Sequence, residues 1–342
     1  MFDAADHESP LRQRALGAFY GLALGDALGM PTQSLSRQQI VATFGEITTL
    51  VDARADQPIA PGMPAGSITD DTEQAMLVAD LLIDGRGSID PLTFAERLIA
   101  WEDDMRARGS RDLLGPSTQR AVARITQGIP PEEAGRLGAT NGAAMRVTPV
   151  GIAFDVAHAE RFMEAVYAAS SVTHNTGLGM AGAASVAATI SAGLNGAALT
   201  QALDIGVEFA ERGERLGYWF AGARLAPRIR WARSQMVGIS DANAITLLND
   251  LVGTSVLAQE SIVAAFALAE LAGDAPQRAL CLAASLGGDT DTIAAILGAM
   301  LGACAGLDAL PSELIDRVKR CNRLDLEPRV EALLALRGST SS

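Results

Sequence analysis

The sequence predicts an all-α fold in a single domain, and three observations support this prediction. Apolar residues recur at helical spacing along most of the 342 residues, whereas alternating strand patterns are rare and short. Hydrophobic residues make up 49% of the chain and aromatic residues only 4%, a balance that favours closely packed helices over a β-sandwich. No segment has the composition of an interdomain linker, so we expect one domain over residues 1–342, with its core at about 12–335 and short polar tails.

The first predicted helix, residues 11–29, carries glycines four residues apart on one face: Gly17, Gly21, Gly25 and Gly29. Glycine costs a helix about 1 kcal/mol relative to alanine. The stripe therefore predicts close approach of another backbone, although some of these glycines could instead mark the helix end. Asp26 lies in the same apolar segment, and a buried acid needs a partner or a metal ion.

Further helices are predicted along the rest of the chain. Residues 73–84 have apolar side chains at helical spacing, and Gly85 follows as a typical stop. Residues 292–305 show the same pattern. The remaining predicted helices cover roughly 92–108, 117–127, 157–170, 178–193, 197–211, 243–252, 258–272, 276–285 and 311–319.

Composition argues against several classes of protein. The formal charge of −13 would repel phosphate backbones, so we expect no nucleic-acid partner. Three cysteines without a CxxC pair do not form a disulfide framework, and three histidines do not favour a Cys/His zinc site.

The same features predict a soluble, cytoplasmic protein. The N-terminal MFDAADHESP is acidic and polar, unlike a signal peptide. The uncharged run 176–203 consists mostly of Gly, Ala, Ser and Thr, so we interpret it as a buried helix and a turn rather than a membrane span.

Two acidic motifs precede apolar helices. In GSITDDTEQAM (66–76), which follows the Pro- and Gly-rich stretch 57–66, Ser67 or Thr69 can cap a helix that begins with Asp70 and Asp71. In GGDTDTIAAI (287–296), aspartates alternate with threonines in the same way. Each motif alone also fits a helix-capping turn.

Together, the two motifs predict a metal site. Four carboxylates in a mostly apolar core would be costly without a counter-charge, and two Mg²⁺ or Mn²⁺ would balance them. Carboxylate, hydroxyl and water oxygens are the ligands that these ions prefer. The alternative is two independent capping turns on separate helices.

Five segments carry a resemblance to a known family: GLALGDALGMP (21–31), SITDDTEQA (67–75), TNGAAMRVTPVG (140–151), VTHNTGLG (172–179) and LGGDTDTIAAILGAMLGA (286–303). In this order, over roughly 12–310, they resemble the ADP-ribosylglycohydrolases, which include the dinitrogenase-reductase-activating glycohydrolases and the ADP-ribosyl-acceptor hydrolases. The resemblance implies a compact all-α domain with a binuclear site for two Mg²⁺, for which Mn²⁺ may substitute. The implied metal ligands are Thr69, Asp70, Asp71, Asp289, Asp291 and Thr292.

The resemblance also implies substrate-binding residues. Asn141 and Gly142 match a segment that lines the ribose and phosphate side of the pocket, and His174 matches a histidine beside the ligand. The loop 114–118, with Gly115 and Ser117, is similar to a loop that approaches the diphosphate. Considered without the family, both glycine-containing segments also fit simple turns, and His174 also fits a hydrogen-bonded core histidine.

One position departs from the family pattern. Many members have Glu a few residues after GDALG, where this chain has Gln33, and an amide cannot act as a general base near neutral pH. Asp71, acting with a metal-bound water, and Asp112, beside the 114–118 loop, are the remaining candidate catalytic acids.

The expected activity is hydrolysis at C1 of a ribosyl group, most simply removal of ADP-ribose from a protein or small-molecule acceptor by a protein that we expect to be monomeric. Gln33 leaves open an N-glycosidase of nucleoside-like compounds, or an ADP-ribose-binding module without turnover. All-α isoprenoid synthases also combine acidic motifs with Mg²⁺, but they need Asp at i, i+4 spacing and an aromatic cavity.

Overall fold

The structure is a computed structural model that describes residues 9–110 and 114–339. Over these residues the chain is α-helical, and its helices have the following bounds: α1 Pro10–Gly29, α2 Arg37–Phe44, α3 Asp70–Asp84, α4 Pro91–Ala107, α5 Pro116–Thr126, α6 Pro131–Ala134, α7 Gly142–Met145, α8 Thr148–Ala153, α9 Ala159–His174, α10 Gly177–Leu194, α11 Leu199–Gly213, α12 Leu225–Gln235, α13 Asp241–Leu247, α14 Ala258–Ala272, α15 Pro276–Ala284, α16 Thr290–Ala305, α17 Ser312–Asn322 and α18 Glu327–Ser339. A π-helical turn, Leu248–Val252, continues α13.

The described residues form no β-strand, and their only bridge-like backbone pairings join Thr140 with Leu257 and Thr176 with Tyr218. The all-α prediction is therefore confirmed. Buried apolar side chains form a continuous core that extends from Ala15 in α1 to Leu333 in α18.

Helices α1 and α16 cross the centre of the molecule in antiparallel contact. A β-carbon at Gly17 would overlap the carbonyl oxygen of Gly302, and one at Gly21 would overlap that of Gly298. The contact continues from Gly25 towards the start of α16. The predicted close backbone approach is thus present, and it places the C-terminal end of α1 beside the N-terminal end of α16.

Helix α10 corresponds to the uncharged run of the sequence. It is long and apolar enough to cross a membrane, but 94% of it is buried inside the protein. Its neighbours include α11, α16 and α8. It therefore has the surroundings of a core helix.

The sequence located the long helices but missed several others. The missed helices are α2, α6, α7, α8, α12 and α18. Four of them have eight residues or fewer, too short for apolar periodicity to stand out. In α12 (LAPRIRWARSQ), polar and charged residues interrupt the apolar pattern, and Pro227 lies near its start.

The α1–α16 contact gives a stability prediction. Gly21→Ala should lower the free energy of unfolding by about 2–3 kcal/mol, because the added methyl group meets the Gly298 carbonyl and the two backbones must separate. Chemical denaturation monitored by circular dichroism measures the loss.

Gly338→Ala is the matched control, because a β-carbon at this α18 position has no heavy atom within 4 Å. It should change stability by less than about 1 kcal/mol, towards greater stability. Equal effects of the two substitutions would contradict the packing argument.

Candidate active site

A carboxylate from α1 holds the start of α3. Asp26 is fully buried, and its two oxygens accept hydrogen bonds from the backbone N–H and hydroxyl groups of Thr69 and Thr72, with 2.6 Å to Thr69 Oγ1. Thr69 occupies the N-cap position but makes no side-chain capping bond. The prediction that Ser67 or Thr69 caps α3 is therefore wrong. Asp26, from another helix, accepts the hydrogen bonds of the backbone N–H groups at the start of α3.

The second acidic motif enters α16 through two glycines. Gly287 and Gly288 have φ values of 92° and 79°, in the region that residues with a β-carbon rarely adopt. After this turn the Asp289 N–H donates to the Thr254 carbonyl at 2.7 Å. The Thr290 hydroxyl donates to the carbonyl of the last α1 residue at 3.0 Å. The motif is thereby fixed against the end of α1.

The two motifs meet at one cavity of about 320 Å³, which Asp70, Asp289, Asp291 and Thr292 all line. Asp71 lies fully buried behind this surface. Its Oδ2 accepts a hydrogen bond from the Thr292 hydroxyl at 3.3 Å and lies 3.5 Å from Thr69 Oγ1, whose proton is donated to Asp26. All six residues predicted as metal ligands are therefore found together.

The carboxylates of this site destabilise one another's ionised forms. Burial raises the pKa of Asp71 well above its usual range, and the charges of Asp70, Asp291, Asp26 and Asp289 raise it further. Burial raises the pKa of Asp289 to about 6, opposed by a hydrogen bond from Asn141. Clustered buried carboxylates of this kind favour a bound cation.

The oxygen atoms of the two acidic motifs are suitable ligands for a hard divalent cation. Among the described residues, no three His, Cys, Asp or Glu side chains form a group that could hold a metal ion by themselves. Aspartate and threonine oxygens are nevertheless the ligands that Mg²⁺ and Mn²⁺ prefer. Asp71 Oδ1 is buried and has no hydrogen-bond partner within the described part of the chain, so this carboxylate keeps an oxygen for a ligand.

Asn141 and Gly142, two of the residues predicted to bind substrate, line the same cavity. The Asn141 amide donates to the Asp289 carboxylate and, at 3.0 Å, to the Ser261 hydroxyl. A β-carbon at Gly142 would lie 2.9 Å from His174 Cε1. Glycine is therefore needed here for the imidazole to pack directly behind the cavity wall.

His174 is fully buried and does not line the cavity itself. Its Nε2 lies 2.8 Å from Thr140 Oγ1, and its Nδ1 lies 2.7 Å from Thr173 Oγ1. Thr140, unlike His174, lines the cavity. Burial lowers the pKa of His174 well below 6.5, and the positive charge of Arg146 lowers it further, so the imidazole is neutral.

Arg146 connects the histidine to the acidic cluster. Its guanidinium is fully buried, and it donates to Thr173 Oγ1 and, at 3.0 Å, to Gln74 Oε1. The Gln74 amide in turn donates to Asp70 Oδ2 at 3.0 Å. Burial lowers the pKa of Arg146 to about 9, while the negative charge of Asp70 acts in the opposite direction.

The other predicted substrate residues divide into two groups. Gln33 and Gly115 line the cavity, and Gln33 Nε2 is buried without a hydrogen-bond partner in the described residues. Ser117 is buried and does not line the cavity. Its Oγ accepts a hydrogen bond from the Arg120 guanidinium at 3.3 Å. Asp112, the second predicted catalytic acid, lies outside the described residues.

Sequence reasoning missed several residues of this site. Thr140 and Arg146 lie within the quoted TNGAAMRVTPVG segment, where only Asn141 and Gly142 received roles. A charged residue in an otherwise apolar segment was the available signal for Arg146. Val256 also lines the cavity, and no local sequence pattern identifies it. Its carbonyl accepts a hydrogen bond from the Asn141 N–H at 2.9 Å, which holds it beside the site.

A larger cavity of about 640 Å³ lies elsewhere, between α2, α13 and α15. Its charged groups are largely paired within the protein: Arg278 with Asp241, and Arg37 with the Ser285 carbonyl at 2.7 Å. The smaller cavity combines carboxylates of both acidic motifs with Gln33 Nε2, a buried donor that has no hydrogen-bond partner within the described residues, and it is therefore the candidate active site.

A sequence model of the ADP-ribosylglycohydrolase family matches residues 7–342. The chain belongs to this family. It is 35% identical to the uncharacterized protein YegU of Escherichia coli (strain K12), over 95% of this chain and 97% of that protein. It is 27% identical to the ADP-ribosylarginine hydrolase Tri1 of Pseudomonas putida (strain GB-1), over 94% of this chain and 81% of that protein.

A solved structure shares the fold of this ADP-ribosylglycohydrolase. The structure, described as an ADP-ribosylglycohydrolase-related protein complex, aligns with a TM-score of 0.67 and 28% identity. The alignment covers 95% of this chain and 97% of that one. The predicted family resemblance and enzyme class are confirmed, since members of the family hydrolyse glycosidic bonds of ADP-ribose and generally use divalent metal ions.

The buried imidazole gives a pH-dependence prediction. Folding lowers the pKa of His174, so below pH 6.5 the unfolded chain carries more protons on this residue than the folded protein does. This contribution to stability is complete above pH 6.5 and falls by up to about 1.4 kcal/mol per pH unit below it. Chemical denaturation of the wild type and of His174→Asn, in EDTA between pH 5 and 7.5, measures the free energy of unfolding as a function of pH. The slope of this dependence should be smaller in the variant than in the wild type.

His158→Asn is the matched control because His158 is exposed. It should keep the slope of the wild type. Identical slopes in all three proteins would contradict a neutral, buried His174.

Proposed function

We propose that this protein is a divalent-metal-dependent hydrolase that removes ADP-ribose from an acceptor. The observation that carries the proposal is the convergence of Asp70, Asp71, Asp289 and Asp291 around one cavity. Family membership supports cleavage of a bond at C1 of the ribose, and the relative from Pseudomonas putida is named for an ADP-ribosylarginine substrate.

In this proposal two Mg²⁺ or Mn²⁺ are held by Thr69, Asp70, Asp71, Asp289, Asp291 and Thr292. When bound, such ions orient ribose hydroxyls and stabilise charge that develops as the glycosidic bond breaks. Asp26 contributes indirectly, because its hydrogen bonds from four donor groups fix the turn from which Asp70 and Asp71 extend.

Hydrolysis requires a water oxygen to bond to C1 while the bond from C1 to the acceptor breaks and the acceptor gains a proton. Asp71 Oδ1 has no hydrogen-bond partner in the described residues and is the candidate to receive a proton from the water. Gln33 cannot take this role, but its Nε2, also without a partner there, can donate a hydrogen bond to substrate. The expected products are ADP-ribose and the free acceptor.

A small ribosyl N-glycoside is the alternative substrate. Two observations favour including it: Gln33 replaces the Glu of many family members, and the cavity of about 320 Å³ is near the lower limit for ligand pockets. A nucleoside panel therefore belongs in any activity test.

Metal binding gives the third prediction. At a Mg²⁺ or Mn²⁺ concentration of 100 times Kd, the wild type should gain about 2.7 kcal/mol of stability, and EDTA should abolish the gain. Asp289→Asn should lose most of it, because a cavity carboxylate is removed. Thermal denaturation with and without metal measures both effects.

Asp103→Asn is the matched control, since it removes the same charge from an exposed position in α4. It should retain the gain. A wild type that shows no metal-dependent stabilisation and no heat of metal binding would contradict the proposed metal site.

Catalysis gives the fourth prediction. With Mg²⁺, the wild type should release ADP-ribose from an ADP-ribosylarginine peptide, an ADP-ribosylserine peptide or a small ADP-ribosyl acceptor. Asp71→Asn should lower kcat at least about 100-fold, because positioned proton transfer typically contributes 10²–10⁴-fold. Chromatography of released ADP-ribose measures the rate, with Asp103→Asn again as control.

Hydrolysis of nucleosides alone would replace the proposed substrate with a small ribosyl compound. Binding of ADP-ribose without any turnover would indicate a binding module. Full activity in Asp71→Asn would remove Asp71 from the mechanism.

A further inference from the structure

Thr140 occupies a position between the buried hydrogen-bond network and the cavity. It lines the cavity beside Asn141 and is only 8% exposed. Its backbone is anchored by the bridge to Leu257. Within the described residues, His174 Nε2 is the only hydrogen-bond partner of its hydroxyl oxygen.

The direction of each hydrogen bond in this network follows from chemistry. A guanidinium can only donate, so Thr173 Oγ1 accepts from Arg146. A hydroxyl can accept twice, but within the described residues the buried Thr173 hydroxyl contacts no acceptor other than His174 Nδ1, so its proton is donated there. An imidazole that accepts at Nδ1 carries its proton on Nε2 when neutral.

The same reasoning fixes the role of Thr140. Because Nε2 is protonated, it donates to Thr140 Oγ1. The Thr140 hydroxyl proton is then not used within the network, and Thr140 faces the cavity. A donor at this position fits a phosphoryl or hydroxyl oxygen of a ligand.

We propose that Thr140 is a substrate-binding residue whose hydroxyl donates a hydrogen bond to an oxygen of the ribosyl-phosphate group. Arg146, Thr173 and His174 are positioning residues that fix the direction of this donor. The assignment rests on the proposed function for the identity of the ligand, whereas the histidine tautomer can be tested without any ligand.

The network also explains why a buried arginine lies near the site. Arg146 holds Thr173 as a donor towards His174 and, through Gln74, contacts Asp70 of the acidic cluster. One guanidinium therefore links the orientation of a donor on the cavity wall to the position of a carboxylate in the same cavity.

The tautomer is tested by long-range ¹⁵N–¹H NMR of the histidine rings. The chain has three histidines, so the variant His7→Gln/His158→Gln leaves only the His174 signals. The expected spectrum is that of a neutral ring protonated at Nε2. A ring protonated at Nδ1 would overturn the proposal.

Binding is tested by calorimetry with ADP-ribose in saturating Mg²⁺. Thr140→Val, which keeps the shape and removes the hydroxyl, should weaken binding about fivefold to tenfold, and Thr140→Ser should restore it to within about twofold. Thr173→Val should weaken binding similarly and shift the His174 tautomer population, although Thr173 does not line the cavity. Stabilisation by Mg²⁺ should be unchanged in all three variants.

The outcomes separate this proposal from the proposed function. If the wild type binds ADP-ribose and Thr140→Val binds equally well, the role of Thr140 is overturned while the proposed function stands. If the folded, metal-loaded wild type binds no ADP-ribose, the proposed function fails, and the assignment of Thr140 to this ligand fails with it.

Discussion

The backbone contact between α1 and α16 is the constraint on which the rest of the site depends. Glycines at Gly17 and Gly21 meet Gly302 and Gly298, and no larger residue fits without separating the helices. Because the helices are antiparallel, the end of α1 lies beside the start of α16. Two segments more than 250 residues apart are thereby joined, as the hydrogen bond between Thr32 and Thr290 illustrates, at 3.0 Å.

Asp26 extends this constraint to the second acidic motif. It lies near the end of α1 and accepts the hydrogen bonds that α3 would otherwise lack at its start. The arrangement gathers carboxylates in a buried region, which raises the pKa of Asp26 to about 6 and that of Asp71 well above its usual range. Buried charge of this kind is costly in a protein without a ligand, and the same cost favours binding of a cation.

Hydrogen bonds of buried side chains support the part of the cavity wall formed by Thr140. Arg146 is a buried cation that cannot accept, so Thr173 accepts from it. The Thr173 hydroxyl proton goes to His174 Nδ1, its only other contact among the described residues. Its charge, together with burial, keeps His174 neutral. The cavity thus combines acceptor oxygens from the two acidic motifs with donors from Gln33 and Thr140.

The sequence by itself determined the all-α class, the long helices, the glycine stripe of α1 and the acidic residues of both motifs, because helical periodicity, glycine spacing and paired carboxylates are local patterns. Only the tertiary structure decided that Asp26 rather than Thr69 satisfies the start of α3, that Ser117 and His174 lie behind the cavity surface, and that Thr140 lies on it. These features depend on hydrogen bonds between residues 34 to 46 positions apart, such as Thr140 with His174 and Asp26 with Thr72. No periodic pattern encodes which donor meets which acceptor across such a separation, since that choice is made by the packing of whole helices.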